Sequence, residues 1–166
     1  MGHDYKFYLD KGISETNEGK FDEALHSLNQ TAAINPDEAM PYFSMAIVFH
    51  HLGELESAYA NYTRAIELNH KMIDAYFNRA QVLLADKEAD EDKLKSAISD
   101  FDKAIELDPK FIDALYYKAV VLKKLEQYEE AVKTLDKVLA IDPKAVYSNA
   151  LKKLILQKYL KQDLNK

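Results

Sequence analysis

Three observations predict an all-α fold built from stacked antiparallel helix pairs. A short pattern recurs four times along the chain, apolar residues are spaced for one face of a helix, and helix-breaking residues are scarce. The pattern is clearest at Phe21-Asp22-Glu23-Ala24-Leu25, Leu55-Glu56-Ser57-Ala58-Tyr59 and Tyr128-Glu129-Glu130-Ala131-Val132; Leu94-Lys95-Ser96-Ala97-Ile98 keeps the frame without the acids. Ala24, Ala58, Ala97 and Ala131 lie 34, 39 and 34 residues apart. Four glycines and four prolines in 166 residues are too few for a loop-rich β-sandwich or barrel, and they favour long helices with short connections.

Each repeated alanine is followed four residues later by a large residue: Leu28, Tyr62, Phe101 or Leu135. Eight residues further on stand Pro36, His70, Pro109 and Pro143. Upstream, Tyr8, Tyr42, Tyr76 and Leu115 each precede a small residue by four: Gly12, Ala46, Ala80 and Ala119. A small residue at a helix crossing lets two backbones approach, and the large residue opposite fills the space. Proline ends a helix because it lacks an N–H and disfavours helix in the residue before it. These signals predict helices at about 4–18, 21–34, 38–51, 55–68, 72–87, 91–107, 111–124 and 128–140, with a ninth at about 145–162.

The pattern resembles the tetratricopeptide repeat, a unit of about 34 residues with Ala-x3-Phe and then Pro. The resemblance covers roughly residues 5–145. It implies a right-handed α–α superhelix of four helix-turn-helix repeats, at about 5–38, 39–72, 73–111 and 112–145. A capping helix at about 145–162 completes a single domain of residues 1–166, since a stacked array needs a polar end.

Three departures stand out. Repeat three is five residues longer, around Ala85 to Lys95, and carries Asp86, Glu88, Asp90, Glu91 and Asp92. A calcium loop would need a turn glycine and a spacing that are missing, so a lengthened hairpin with Asp90 at a helix N-cap is expected. His70 replaces proline. In the last helix the large and small slots fall on Asn149 and Lys153, while Tyr147, Ala150, Leu151, Leu154, Ile155, Leu156, Tyr159 and Leu160 make a wide stripe of rotated phase. Lys152, Lys153, Lys158 and Lys161 are expected to face solvent.

The resemblance implies a concave groove lined by the first helices of successive repeats, and hence a non-catalytic protein–protein interaction module or scaffold. The expected groove residues are Leu9, Phe43, Ile47, His50, Asp74, Phe77, Gln81, Asp113, Tyr116 and Val120, with Ile13, Met40, Leu84, Lys6 and Lys123 in matching positions. Some members of the family clamp a carboxylate with Lys, Asn and Arg. Here the matching positions hold Leu9, Ile13, Ser44, Asp74 and Asn78, or Phe43, Ile47, Asn78, Asp113 and Tyr117. Only Asn78 survives, and acids replace cations. The expected partner is therefore an apolar peptide with basic flanks. A rival expectation is a structural module that forms homodimers through Tyr147, Leu151, Leu154 and Tyr159.

No catalytic residue, metal site or cofactor is expected. His50 and His51 point about 100° apart on a helix and cannot share a metal as an i, i+4 pair could. The four glycines are isolated, so no phosphate loop exists. Cysteine is absent and the net charge is −6, which disfavours a phosphate backbone as partner. The start lacks the long apolar stretch of a signal peptide, and no run approaches a membrane span of ~20 apolar residues. A cytoplasmic protein without nucleic-acid or membrane partners is expected.

Overall fold

The computed structural model describes residues 4–160. Among them run nine helices and no strand: α1 (Tyr5–Asn17), α2 (Phe21–Ile34), α3 (Ala39–Leu52), α4 (Leu55–Leu68), α5 (Ile73–Ala85), α6 (Glu91–Leu107), α7 (Ile112–Lys124), α8 (Tyr128–Ile141) and α9 (Val146–Lys158). The first eight keep within two residues of their expected bounds. The chain forms two compact units: α1–α5, ending at Lys87, and α6–α9, beginning at Glu88. The boundary falls inside the lengthened segment of repeat three. There Asp90 caps α6, its carboxylate accepting from the Lys93 N–H at 2.9 Å.

Within each unit, successive helices pack against one another, and α1 also touches α3. The small and large slots form the core. Ala24, Ala58, Ala97 and Ala131 are fully buried, and so are Leu28, Phe101 and Leu135, with Tyr62 at 1% exposure. Burial of each large side chain contributes about 1.5–3 kcal/mol. Gly12 shows how close the approach is: a Cβ there would lie 2.7 Å from Leu28 Cγ. In the second unit Ala119, Leu122, Ala131, Leu135 and Ile155 form one apolar cluster.

The last helix corrects one expectation. Its buried residues, Ser148, Ile155 and Leu156, are not out of phase with the repeats. They take the places that Ala114, Val121 and Leu122 take in α7 and that Ala75, Val82 and Leu83 take in α5. A polar tie repeats in the same frame. Arg79 donates to Thr63 Oγ1 at 3.0 Å, Lys118 pairs with Asp102 at 2.6 Å, and Lys152 pairs with Asp136, always sixteen residues apart. Lys152 is thus half-buried in an ion pair rather than simply solvated. So α9 sits as a first helix would on the repeat before it. It still caps, because the slots that would receive a further helix are the exposed Asn149 and Lys153. The helix also ends earlier than the expected 162, at Lys158, with Tyr159 at its C-cap; Lys161 lies outside the described residues.

The junctions explain His70. The carboxyl or amide oxygens of Asn35, Asn69, Asp108 and Asp142 each accept from the N–H two residues on, at 3.4, 3.0, 3.0 and 2.9 Å. Asn69 has φ −143° and ψ 95°, close to Asn35, Asp108 and Asp142. The side-chain turn sets this geometry, so the following proline is dispensable.

In the α1–α2, α3–α4 and α7–α8 hairpins, the chain reverses through one left-handed residue. Gly19 and Gly53 serve with φ 74° and 76°, and in the α7–α8 turn Glu126 takes the same role at φ 59°. The Gln127 N–H then reaches back to the Leu122 carbonyl at 2.9 Å, closing the helix end. A side chain in this region costs roughly 1–2 kcal/mol. Glu126→Gly is expected to raise the melting temperature by about 1–4 °C. An unchanged or lower melting temperature would contradict the strain assigned to this turn.

Candidate functional site

The expected groove positions fall in both units, and each unit has its own recess. In the first, α3, α4 and α5 enclose about 440 Å³ lined by Ile47, His50, His51, Tyr62 and Asn78. Two helical turns explain its wall: Ile47 and His50 lie three apart on α3, and Asn78 lies on the next first helix. Tyr62 comes from the large slot of α4. Its ring fills the core while its hydroxyl reaches the Asn78 side chain. Burial pushes the Tyr62 phenol well above its ordinary pKa of 10.0, with the Asn78 bond acting the other way, so it stays a neutral hydrogen-bonding group.

The remaining first-unit candidates are placed differently. Phe43 is half-buried, edge-on to Tyr62 with ring centroids 5.8 Å apart. Leu9 packs on the cluster of Ala24, Leu28, Met45 and Val48. Both side chains therefore serve the fold as well as the surface. Phe77 is half-buried and Asp74 is exposed. Gln81, one turn beyond Asn78, is the informative one: among the described residues its Nε2 is buried without a hydrogen-bond partner. A buried unsatisfied donor costs about 1–3 kcal/mol.

In the second unit a smaller recess of about 220 Å³ lies between the starts of α7 and α9. Asp113, Tyr116 and Tyr117 face Tyr147 across it. Tyr116 also leans on the apolar cluster and meets Tyr117 edge-on at 5.4 Å, while Tyr117 stacks on Phe101 at 6.4 Å. Val120 is half-buried. Of the residues expected for self-association, Leu151 packs on the same cluster and Tyr159 stacks on Tyr128 at 4.4 Å. Tyr147 and Leu154 remain exposed, at 80% and 43%.

Sequence reasoning missed Tyr62 and Tyr147 as wall residues. A signal for each was present. Tyr62 is the one tyrosine among the four large slots, and a buried tyrosine needs a hydroxyl partner. Tyr147 and Leu154 stand where Asp113 and Val120 stand when counted from the preceding proline. Among the described residues no three His, Asp or Glu side chains gather as metal ligands, and no helix is long and apolar enough to cross a membrane.

Burial, and secondarily His51, hold the His50 imidazole below its ordinary pKa of 6.5. The unfolded chain then binds the proton more readily, so stability present above pH 6.5 is lost as pH falls through the folded value. Chemical denaturation between pH 7 and pH 5.5 is expected to show this loss. His50→Gln should make the profile flatter; an unaltered slope would show that His50 is not its source.

Known proteins place this geometry. A tetratricopeptide-repeat family matches residues 88–154, and a second repeat family matches residues 48–87. No curated protein matches the sequence at a significant level. Among solved structures, MamA superposes with a TM-score of 0.84 at 19% identity, covering 95% of this chain and 83% of that one. The MamA of Desulfovibrio magneticus RS-1, from residue 41 to its end, gives 0.83 at 21% identity, covering 95% and 86%. YrrB, described as a TPR protein with an unusual peptide-binding site, gives 0.75 at 25% identity, covering 89% and 73%. With contiguous matches over residues 48–154 and the all-α superhelical fold class of these structures, the chain belongs to the tetratricopeptide repeat family of protein-interaction modules.

Proposed function

We propose that this protein is a non-catalytic scaffold that holds a peptide segment of a partner protein against its first helices. The observation that carries the reading is the buried, unpartnered Nε2 of Gln81. It lies one turn from Asn78, which lines the first-unit recess together with the apolar Ile47 and a His50 whose pKa is depressed. An extended peptide supplies an apolar side chain for the recess and, once the Gln81 side chain swings toward it, a backbone carbonyl for the donor. The likeness to YrrB, with its peptide-binding site, supports the same reading. Exposed Asp74 and Asp113 favour a segment with basic flanks.

Peptides selected from a displayed random library on the full chain test this. Ile47→Asn should weaken their binding roughly 10–100-fold, the value of one buried aliphatic side chain. Gln81→Leu should separate stability from binding: removing an orphaned donor raises or preserves the melting temperature, while affinity for the selected peptides falls. Unchanged affinity in both variants would sink the proposal.

Exposed Val146, Tyr147 and Leu154 on α9 support a second reading, a structural module that pairs with its own copy. Sedimentation velocity decides it. A dimer dispersed by Tyr147→Ser with Leu154→Ser is the expected result; a monomer at high concentration rejects it.

A further inference from the structure

We propose that the recess between α7 and α9 is a receptor for an arginine side chain of the bound peptide, with α9 supplying one of its walls. The proposal rests on the peptide-holding reading and deepens it. Its starting point is the phase of α9. Because Ser148, Ile155 and Leu156 are the buried residues, Tyr147 is turned outward at the place that Asp113 occupies on α7. The two helix starts thus present Tyr147 and Asp113 to one recess, with Tyr116 and Tyr117 between them.

The chemistry of this wall selects the occupant. Three phenol rings line the recess, and the negatively polarised face of such a ring attracts a cation, a planar guanidinium above all. A carboxylate beside them adds a charge-assisted, bidentate partner. The cations Lys118 and Lys152 on the same two helices are already committed, to Asp102 and Asp136. Among the described residues Asp113 has no ion pair of its own. The starts of α7 and α9 carry positive dipole ends, which would favour an anion. Asp113, in the first turn of α7, places a full negative charge against that half charge. A cation therefore prevails. The recess of about 220 Å³ is open enough for one long side chain and far smaller than the first-unit recess of about 440 Å³.

A guanidinium held on tyrosine already occurs in the first unit, at other repeat positions, where Arg79 lies over the Tyr59 and Tyr76 rings at 5.4 and 6.0 Å. There the cation is built in. In the second unit the tyrosines face a recess instead.

The test uses the full chain labelled with ¹³C at the tyrosine ε carbons. N-acetyl-arginine methylamide, its citrulline analogue, N-acetyl-lysine methylamide and N-acetyl-glutamate methylamide are titrated at millimolar concentration. The arginine probe is expected to shift the Tyr116, Tyr117 and Tyr147 signals, the lysine probe less, and the two others not at all. Asp113→Asn and Tyr147→Ala should each reduce the arginine affinity roughly three- to thirtyfold. Both residues are exposed, so the variants keep their melting temperature. Added salt should weaken the arginine response. Equal shifts from citrulline, a larger response to glutamate, or silence at these three tyrosines would each overturn the proposal. If library peptides bind while the three tyrosines stay silent, only this receptor fails; if no peptide is selected, the broader reading fails with it.

Discussion

Everything in this protein depends on the close approach of paired helices at a small residue. Gly12 sits against Leu28 so tightly that one added carbon would overlap it. Ala119 and Leu135 meet in the second unit's apolar cluster. A single helix pair cannot bury both of its faces, so each pair is completed by the next helix in line. The fully buried Ala24, Ala58, Ala97 and Ala131 extend the same constraint to every second helix. Where a larger residue is needed, a neighbour has made room for it.

That constraint also creates the surfaces available for a partner. When a helix gives its small and large slots to its neighbours, the residues between those slots are left half-buried along the other side. Phe43, Ile47, Phe77, Tyr116 and Val120 are all of this kind. Their apolar character has two sources that sit side by side. Phe43 leans on Tyr62 and serves the packing, whereas Ile47 lines open space. The polar ties between Arg79 and Thr63, Lys118 and Asp102, and Lys152 and Asp136 hold successive helices in one register. The two lysine–aspartate pairs, each with a half-exposed carboxylate, contribute about 0–1 kcal/mol each, so they fix alignment more than stability.

The ninth helix brings both themes together. It uses the buried phase of a first helix, which seats it firmly on α8, and polar residues at the slots a further repeat would need. An array is closed by withholding one face, not by turning the helix. The same seating turns Tyr147 and Leu154 outward beside the surface of α7 rather than into the core.

The sequence by itself determined the repeats, the helix bounds and the buried slots. Those features are local or strictly periodic: each of the four repeated alanines, and the large residue four places after it, is buried in the structure. Asp90 as a cap was equally legible, since capping is a three-residue interaction. Only the tertiary structure decided the rest. A hydrophobic stripe on α9 shows that a face is apolar but not which half a neighbour covers; Leu151 and Tyr159 went to the neighbour, Tyr147 and Leu154 to solvent. The unpartnered amide of Gln81 was likewise invisible, because whether a polar group is satisfied depends on atoms far away in the chain. Periodicity fixes which residues share a face, and packing alone fixes what that face meets.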